Sequence, residues 1–167
     1  SEETKGFTFS GPIIEDKLFF FVGYEEFESG LPALYGAADS GMPNSAEDAT
    51  EADIAEIARI SQDRYGFDPG QFTGFTAPET GEKTIIKLNA NINDIHRAVF
   101  LYQSDEDSLP SGGYNRFSSN WVYYAPEIER NSITLYSDWN DRLSTKVRYS
   151  TYEYLSDPYS PGLTTPE

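Results

Sequence analysis

The sequence predicts an all-β fold, in which an antiparallel up-and-down meander carries one short helix. Three pairs of segments alternate apolar and polar residues as strands do, and a short polar turn joins the two members of each pair. Long irregular connections separate one pair from the next. Asp and Asn recur in the turns, because their side chains bond to nearby backbone groups and tolerate left-handed conformations.

The predicted strands are long. A soluble strand usually has about 5–6 residues, whereas a tilted strand that crosses a membrane needs about 9–11. Several of the predicted segments reach or exceed the membrane length, which favours membrane strands. In chain order the pairs are residues 6–13 with 17–27, residues 82–92 with 96–103, and residues 127–139 with 143–153.

One helix is predicted within the first long connection. Thr50 precedes an acidic first turn, which is typical of a helix N-terminus, and Gly66 can end the helix. Between them, over residues 50–65, apolar and small residues recur at helical spacing: Ile54, Ile57, Ala58, Ser61 and Tyr65.

The long connections all fall at one end of the meander, and the short turns fall at the other. The first connection, residues 28–81, holds ten acids and two arginines, in a chain whose net charge is −16. Short periplasmic turns and long extracellular loops are typical of outer-membrane barrels. We therefore expect a transmembrane β-barrel architecture, with its turns in the periplasm and its helix outside the cell.

Alternation along the strands predicts one lipid-facing surface. In residues 17–27 the apolar run from Leu18 to Phe21 has no polar break, so Phe19 and Phe21 would point inward, where a packed plug could cover them. By the same parity, nine residues are expected to face outer-membrane lipid: Leu18, Phe20, Val22, Ile86, Leu88, Phe100, Ile133, Leu135 and Val147. The alternative is a soluble, aromatic-rich β-sandwich that binds carbohydrate, with one face of each sheet on a core.

Aromatic residues cluster around the second long connection. We expect Trp121, Tyr123 and Tyr124 to form part of the interface girdle, where aromatic rings sit at the membrane surface. Tyr114 and Phe117 are candidate ligand contacts, because they could stack on a sugar or on another ligand with apolar faces.

Composition and spacing argue against several other functions. Twelve Lys and Arg against 28 Asp and Glu disfavour nucleic-acid binding, which needs a basic face. The chain has no Cys, and its one histidine, His96, lies in a predicted turn without a supported catalytic partner. The acidic run 105–107 lacks the spacing of a calcium-binding EF-hand, so we interpret it as a solvated loop. We expect no catalytic residues, no metal site, no cofactor and no enzyme activity.

Three stretches resemble one known family. "SGPIIEDKLFFFVGYEEFE" (residues 10–28) is similar to an early-barrel motif of TonB-dependent outer-membrane receptors, especially their Oar-like branch. "IIKLNANINDIHRAVFLYQSDED" (residues 85–107) resembles the next hairpin of that branch, and "LYSDWNDRLSTKVRYSTYEY" (residues 135–154) resembles a third.

The resemblance implies a receptor in the outer membrane of a Gram-negative bacterium. Such receptors have barrels of about 22 strands with a plugged lumen, and the TonB complex of the inner membrane drives uptake of a nutrient ligand. Six strands cannot close a barrel, since membrane barrels begin at about eight. Residues 1–167 are therefore expected to be a segment of the early barrel, with the plug and the remaining strands absent. The ligand is not named by the resemblance.

Overall fold

The computed structural model describes residues 2–111 and 116–163 and is dominated by one antiparallel sheet. The order of its long strands is β1-β2-β5-β6-β8-β9, and every neighbouring pair is antiparallel. The predicted meander is confirmed. Its strands are β1 (Glu3–Ile14), β2 (Leu18–Pro32), β3 (Tyr35–Gly36), β4 (Asn44–Ser45), β5 (Thr76–Asn91), β6 (His96–Ser111), β7 (Val122–Tyr124), β8 (Pro126–Asn140) and β9 (Leu143–Ser156).

The short strands lie in or beside the long connections. β3 and β4 form a small parallel pair inside the connection between β2 and β5. β7 directly precedes β8 and pairs with the end of β6. Two short 3-10 helices, Ser118–Asn120 and Pro161–Leu163, lie at the same end of the sheet.

The three tight turns are closed by their own polar residues. Asp16 adopts a positive φ of 59°, which permits the turn between β1 and β2. The Asn93 side chain accepts hydrogen bonds from the backbone N–H groups of Ile95 and His96 at 2.9 and 2.8 Å. The Asn140 side chain accepts one from the Arg142 N–H at 3.0 Å. Short side-chain bonds to the backbone therefore set the register of the second and third hairpins.

The strands extend further toward the loops than predicted. β2 continues to Pro32, β5 begins at Thr76, and β6 continues to Ser111. The acidic run 105–107, which the sequence suggested as a loop, lies inside β6 with its side chains on alternating faces. The ladder continues here because both faces can be polar once the strands leave the hydrocarbon region. The irregular part of the first connection is accordingly shorter than residues 28–81.

Pairing register divides the sheet into two faces. Directly opposed residues share a face, and Phe20, Leu88, Phe100 and Ile133 form one such row across β2, β5, β6 and β8. The rows on either side place all nine predicted lipid-facing residues on this same face, which we call the apolar face. Their contact with lipid stays a prediction. The opposite face, which we call the mixed face, carries apolar, polar and basic residues and also acids such as Glu25 and Asp105.

An acidic row ends the apolar face toward the loops. Glu26, Glu82, Glu106 and Glu127 are directly opposed on four neighbouring strands. Directly opposed like charges destabilise a sheet, and carboxylates do not enter a hydrocarbon region without cost. This row therefore marks where the apolar band stops.

The buried core lies among the loops and not behind the sheet. It consists of Ala33, Ala77, Trp121 and Tyr123, with Phe75 packed against it. The rings of Phe75 and Trp121 meet edge to face at 4.8 Å. Three long connections contribute, because Tyr159 from the C-terminal segment stacks on Tyr123 at 5.2 Å. The loops therefore form a packed cap at one end of the sheet.

This core differs from the girdle predicted for Trp121, Tyr123 and Tyr124. Trp121 is 5% exposed and Tyr123 is 9% exposed, so neither ring lies on an outer surface. They are buried because the loops fold over them. Strand parity cannot predict this burial, because it describes only the two faces of the sheet. Tyr124 is 47% exposed and is the one of the three that presents its ring to the surroundings.

The predicted helix is confirmed as α1 (Glu51–Tyr65). Thr50 caps it: its hydroxyl accepts a hydrogen bond from the Asp53 N–H at 3.2 Å, and the Asp53 carboxylate accepts one from the Thr50 N–H at 2.9 Å. Gly66 ends the helix with a positive φ of 63°. Within the described residues, no helix is long and apolar enough to cross a membrane.

The sheet is open at both edges. In the part of the chain that the structure describes, β1 pairs only with β2, and β9 pairs only with β8. Nearly every side chain of β9 is exposed. Each edge strand therefore leaves one row of backbone groups free to pair with a further strand.

Candidate ligand cleft

A cleft of about 650 Å³ lies within the cap. One wall is the apolar side of α1, where Ile54 and Ile57 face the opening. The other walls come from the segment after α1 and from the segment before β7. The apolar lining of these walls is Phe67, Pro69, Phe72 and Phe117.

Backbone hydrogen bonds hold the two loop walls together. The Ser118 N–H donates to the Gln71 carbonyl at 2.7 Å, and the Ser119 N–H donates to the Pro69 carbonyl at 3.2 Å. The Ser118 hydroxyl in turn accepts a bond from the Gln71 N–H at 3.0 Å. Residues 47 positions apart are thus fixed side by side.

Gly70 is required at this junction. Its φ is +77°, a conformation that other residues rarely adopt, and a side chain there would collide with the Ser118 hydroxyl. The close approach of the two loop segments therefore depends on the absence of a side chain. Substitution of Gly70 would separate the cleft walls.

Two aromatic rings of the cleft wall pack against each other. Phe72 and Phe117 meet edge to face, with ring centroids 5.4 Å apart. Phe117, a candidate ligand contact from the sequence, therefore lies on the cleft wall, and its contact with a ligand stays a prediction. Tyr114, the other candidate, lies outside the described residues.

Charged groups of both signs border the cleft. Glu47, Asp48 and Arg116 are among its lining residues. Arg116 forms no ion pair with another residue that the structure describes. The cleft therefore combines an apolar lining with charged groups of both signs.

The polar side of α1 is turned away from the cleft, and its charged residues pair with one another. Arg59 bridges Glu56 at 2.7 Å and Asp63 at 2.6 Å, all on the exposed surface of the helix. The hydrogen bond from Arg59 lowers the pKa of Glu56. The bonds from Thr50 likewise lower the pKa of Asp53. A further bond, from the Glu51 N–H to the Asp39 carboxylate at 2.7 Å, ties the helix start to the preceding loop.

His96 lies far from the cleft, beside the second tight turn. Its Nδ1 is 2.8 Å from the Ser137 hydroxyl, and its ring packs edge to face on Trp139 at 5.2 Å. Ser137 is only 2% exposed, so a substrate would not reach its hydroxyl. These contacts tie β6 to β8 at the turn end of the sheet.

A family model described as an outer membrane beta barrel domain matches residues 1–166. The chain belongs to this family. Comparisons with curated proteins and with solved structures gave no match. The family and the sheet together establish a barrel-type protein of the Gram-negative outer membrane whose strands cross the membrane. The soluble sandwich is excluded, because the long strands form one sheet and not two packed sheets.

Sequence reasoning missed most of the cleft. Ile54 and Ile57 were found by their helical spacing, but the contribution of Phe67 and Phe72 was not. These two phenylalanines lie in an irregular segment with no periodicity that assigns them a face. The available signal was Gly70 between them, a residue type that often marks a close backbone approach.

Proposed function

We propose that the chain forms part of the barrel of a TonB-dependent receptor, which takes up a nutrient ligand actively across the outer membrane. One observation carries the proposal. The long connections of this barrel segment pack into a cap with a cleft at one end, while the other end has only tight turns. Such a cap suits capture of a ligand, because ligand sites are concave, largely apolar and mostly pre-formed.

The open sheet agrees with a larger barrel. Backbone groups at an unpaired edge cannot face lipid, because nothing there satisfies their hydrogen bonds. The free edges of β1 and β9 therefore need further strands. Large receptor barrels supply such strands, and their lumen is filled and not open.

Ligand capture in this proposal belongs to the cap. The apolar lining of the cleft would hold an apolar or aromatic part of the ligand. The ten acids of residues 28–81 against two arginines favour cationic or neutral ligands over anionic ones at the mouth. No catalytic group is needed for this task.

The proposal is tested by uptake in cells. Wild-type cells are compared with cells that lack the gene for this chain and with cells that lack the TonB complex. The probes are ferric siderophores, cobalamin, oligosaccharides and a peptide digest, and their depletion from the medium is followed by mass spectrometry. We expect both deletions to abolish uptake of the same probe.

Uptake that requires the gene but not the TonB complex would refute active transport. The contribution of the cap is tested separately by deletion of residues 37–74 in the complete protein. The barrel should still fold, because loop length changes closure entropy only slowly. Surface binding of the probe should weaken; unchanged binding would show that the cap only covers the barrel.

A further inference from the structure

The apolar side of α1 is not covered by the rest of the cap. An amphipathic helix normally buries its apolar side against neighbouring elements, but no residue of α1 is buried. Ile57 is 48% exposed, although it lies on the cleft wall. Phe67, which follows the helix, is 40% exposed and also lines the cleft. The apolar side chains of the cleft are therefore available to a bound ligand.

A cation without an ion-pair partner lies among these apolar residues. Arg116 lines the cleft, is exposed, and forms no ion pair with any residue that the structure describes. A guanidinium group binds a carboxylate through two parallel hydrogen bonds. Glu47 and Asp48 line the same cleft and disfavour a second negative charge on the ligand. The cleft therefore suits a ligand with an apolar group, one carboxylate and no further acid.

A second cleft adjoins the first. Its volume is about 640 Å³, and Phe67, Ser119 and Gly162 line both clefts. The side chains of Gln71 and Thr76, which also line the second cleft, can donate and accept hydrogen bonds. A ligand that occupies both clefts is therefore a chain, with an apolar end and hydrogen-bonding groups behind that end.

We propose that the two clefts bind the carboxyl end of a short peptide. Its last side chain, apolar or aromatic, packs against Ile57 and Phe117, and its terminal carboxylate pairs with Arg116. The preceding residues extend past Phe67 into the second cleft. The inference rests on the proposed function, because it names the class of ligand that the receptor takes up.

Peptide chemistry matches both clefts better than two other classes of ligand do. Each peptide group supplies a donor and an acceptor for the second cleft. A fatty acid has an apolar chain and a carboxylate but no hydrogen-bonding groups beyond them. A neutral oligosaccharide has neither the carboxylate nor the apolar side chain.

The class of ligand is tested by calorimetric titration of the complete protein, purified from outer membranes in detergent. The first probe is the peptide acetyl-Lys-Gly-Gly-Phe, whose charges sum to zero. Amidation of its carboxyl end should weaken binding about tenfold, the lower end for hydrogen bonds to a charged group, because Arg116 is exposed. The amide has a net positive charge, so the acidic field of the cap alone would strengthen its binding instead. Weaker binding of the amide therefore reports a specific cation.

Three further probes test the rest of the ligand. Acetyl-Lys-Gly-Gly-Gly should bind at least about tenfold more weakly than the first probe, because it has no apolar side chain to bury. Hexanoate represents a fatty acid, and maltotetraose represents an oligosaccharide. Both should bind more weakly than the first probe.

Variants of two arginines test the charge. Arg116→Gln should weaken binding of the free-acid peptide about tenfold and leave binding of its amide unchanged. Arg59→Gln makes the same change of charge on the polar side of α1, where Arg59 pairs with Glu56 and Asp63. This control should alter the binding of neither peptide.

Variants of two isoleucines test the apolar wall. Ile57→Ala shortens a side chain of the cleft and retains a strong helix former. It should weaken binding of the peptide that ends in phenylalanine more than binding of the one that ends in glycine. Ile60→Ala, on the same helix but not on the cleft wall, should change neither. Circular dichroism checks that every variant folds.

Three results would overturn the inference. The first is no binding of the free-acid peptide, and the second is an amide that binds as tightly or more tightly. The third is hexanoate or maltotetraose that binds as tightly as the peptide. Uptake that does not need the TonB complex would refute the proposed function alone, because the titration reports binding whether or not transport is driven. TonB-dependent uptake of a different probe, with no peptide binding, would refute the peptide inference alone.

Discussion

Leu88 offers the sharpest test of which face of the sheet contacts lipid. It lies in the apolar row with Phe20 and Phe100. Leu88 is six residues from Glu82 along β5, which is about 20 Å of strand at about 3.3 Å per residue. For a strand tilted by about 40°, that length spans about 15 Å of membrane depth. The turn end of the apolar face is about four residues away, or about 10 Å of depth. Leu88 is therefore near the middle of an apolar band about 25 Å tall.

Leu88→Arg should destabilise the barrel by about 2–4 kcal/mol, the cost of an arginine at the midplane on the lipid face. This corresponds to about a 30- to 1,000-fold change in the folding equilibrium, at about 1.4 kcal/mol per factor of ten. The measurement is urea unfolding of the complete barrel in lipid vesicles, followed by tryptophan fluorescence. The slope of the free energy against urea concentration should stay constant if only stability changes.

Thr84→Arg is the matched control on the same face. Thr84 lies one row before the acidic row, at the edge of the apolar band. Arginine near the interface costs only about 0–1 kcal/mol. A cost at position 88 equal to or smaller than that at position 84 would refute the assignment of the apolar face to lipid.

Three other outcomes are expected. Glu106→Gln removes a carboxylate directly opposed to Glu127, so it should stabilise the sheet by about 0.2–1 kcal/mol; urea unfolding at low and high salt checks this, and no gain at low salt contradicts it. Thr50→Ala removes the cap of α1 and should cost about 0.5–2 kcal/mol of helix stability, seen as faster amide exchange in α1 with unchanged exchange in the sheet. A cysteine at Asp48 in intact cells should react with an impermeant reagent while one at Asp94 does not; the reverse pattern would invert the topology.

The fold was largely predictable because local chemistry sets it. Period-two alternation in residues 84–92 assigned Leu88 and Lys87 to opposite faces, and the pairing register agrees. The capping pattern at Thr50 located α1 to the residue. Strand ends were less predictable. The local pattern of residues 76–81 does not distinguish a solvated strand from a loop. These residues are extended because they pair with β2, and from Thr80 onward also with β6.

The cap was not predictable for a different reason. Trp121 and Tyr123 have the composition and position of girdle residues, and only the return of the first and third connections buries them. Likewise, the proximity of Gln71 and Ser118 is a tertiary contact between irregular segments. Such contacts leave no period in the sequence, so the location of the cleft follows from the structure alone.

The distribution of charge differs between the two ends of the sheet, which the net charge alone conceals. Acids concentrate in the first connection and in the row from Glu26 to Glu127, at the end of the sheet that carries the cap. Four cations of the mixed face lie toward the tight turns instead: Lys87, Arg97, Lys146 and Arg148. Because solvent-exposed charges more than about 8–10 Å apart are largely screened in physiological salt, the acids around the cap and these four cations influence different surroundings. Charge substitutions around the cap and charge substitutions near the tight turns are therefore expected to have independent effects, because they lie at different ends of the sheet.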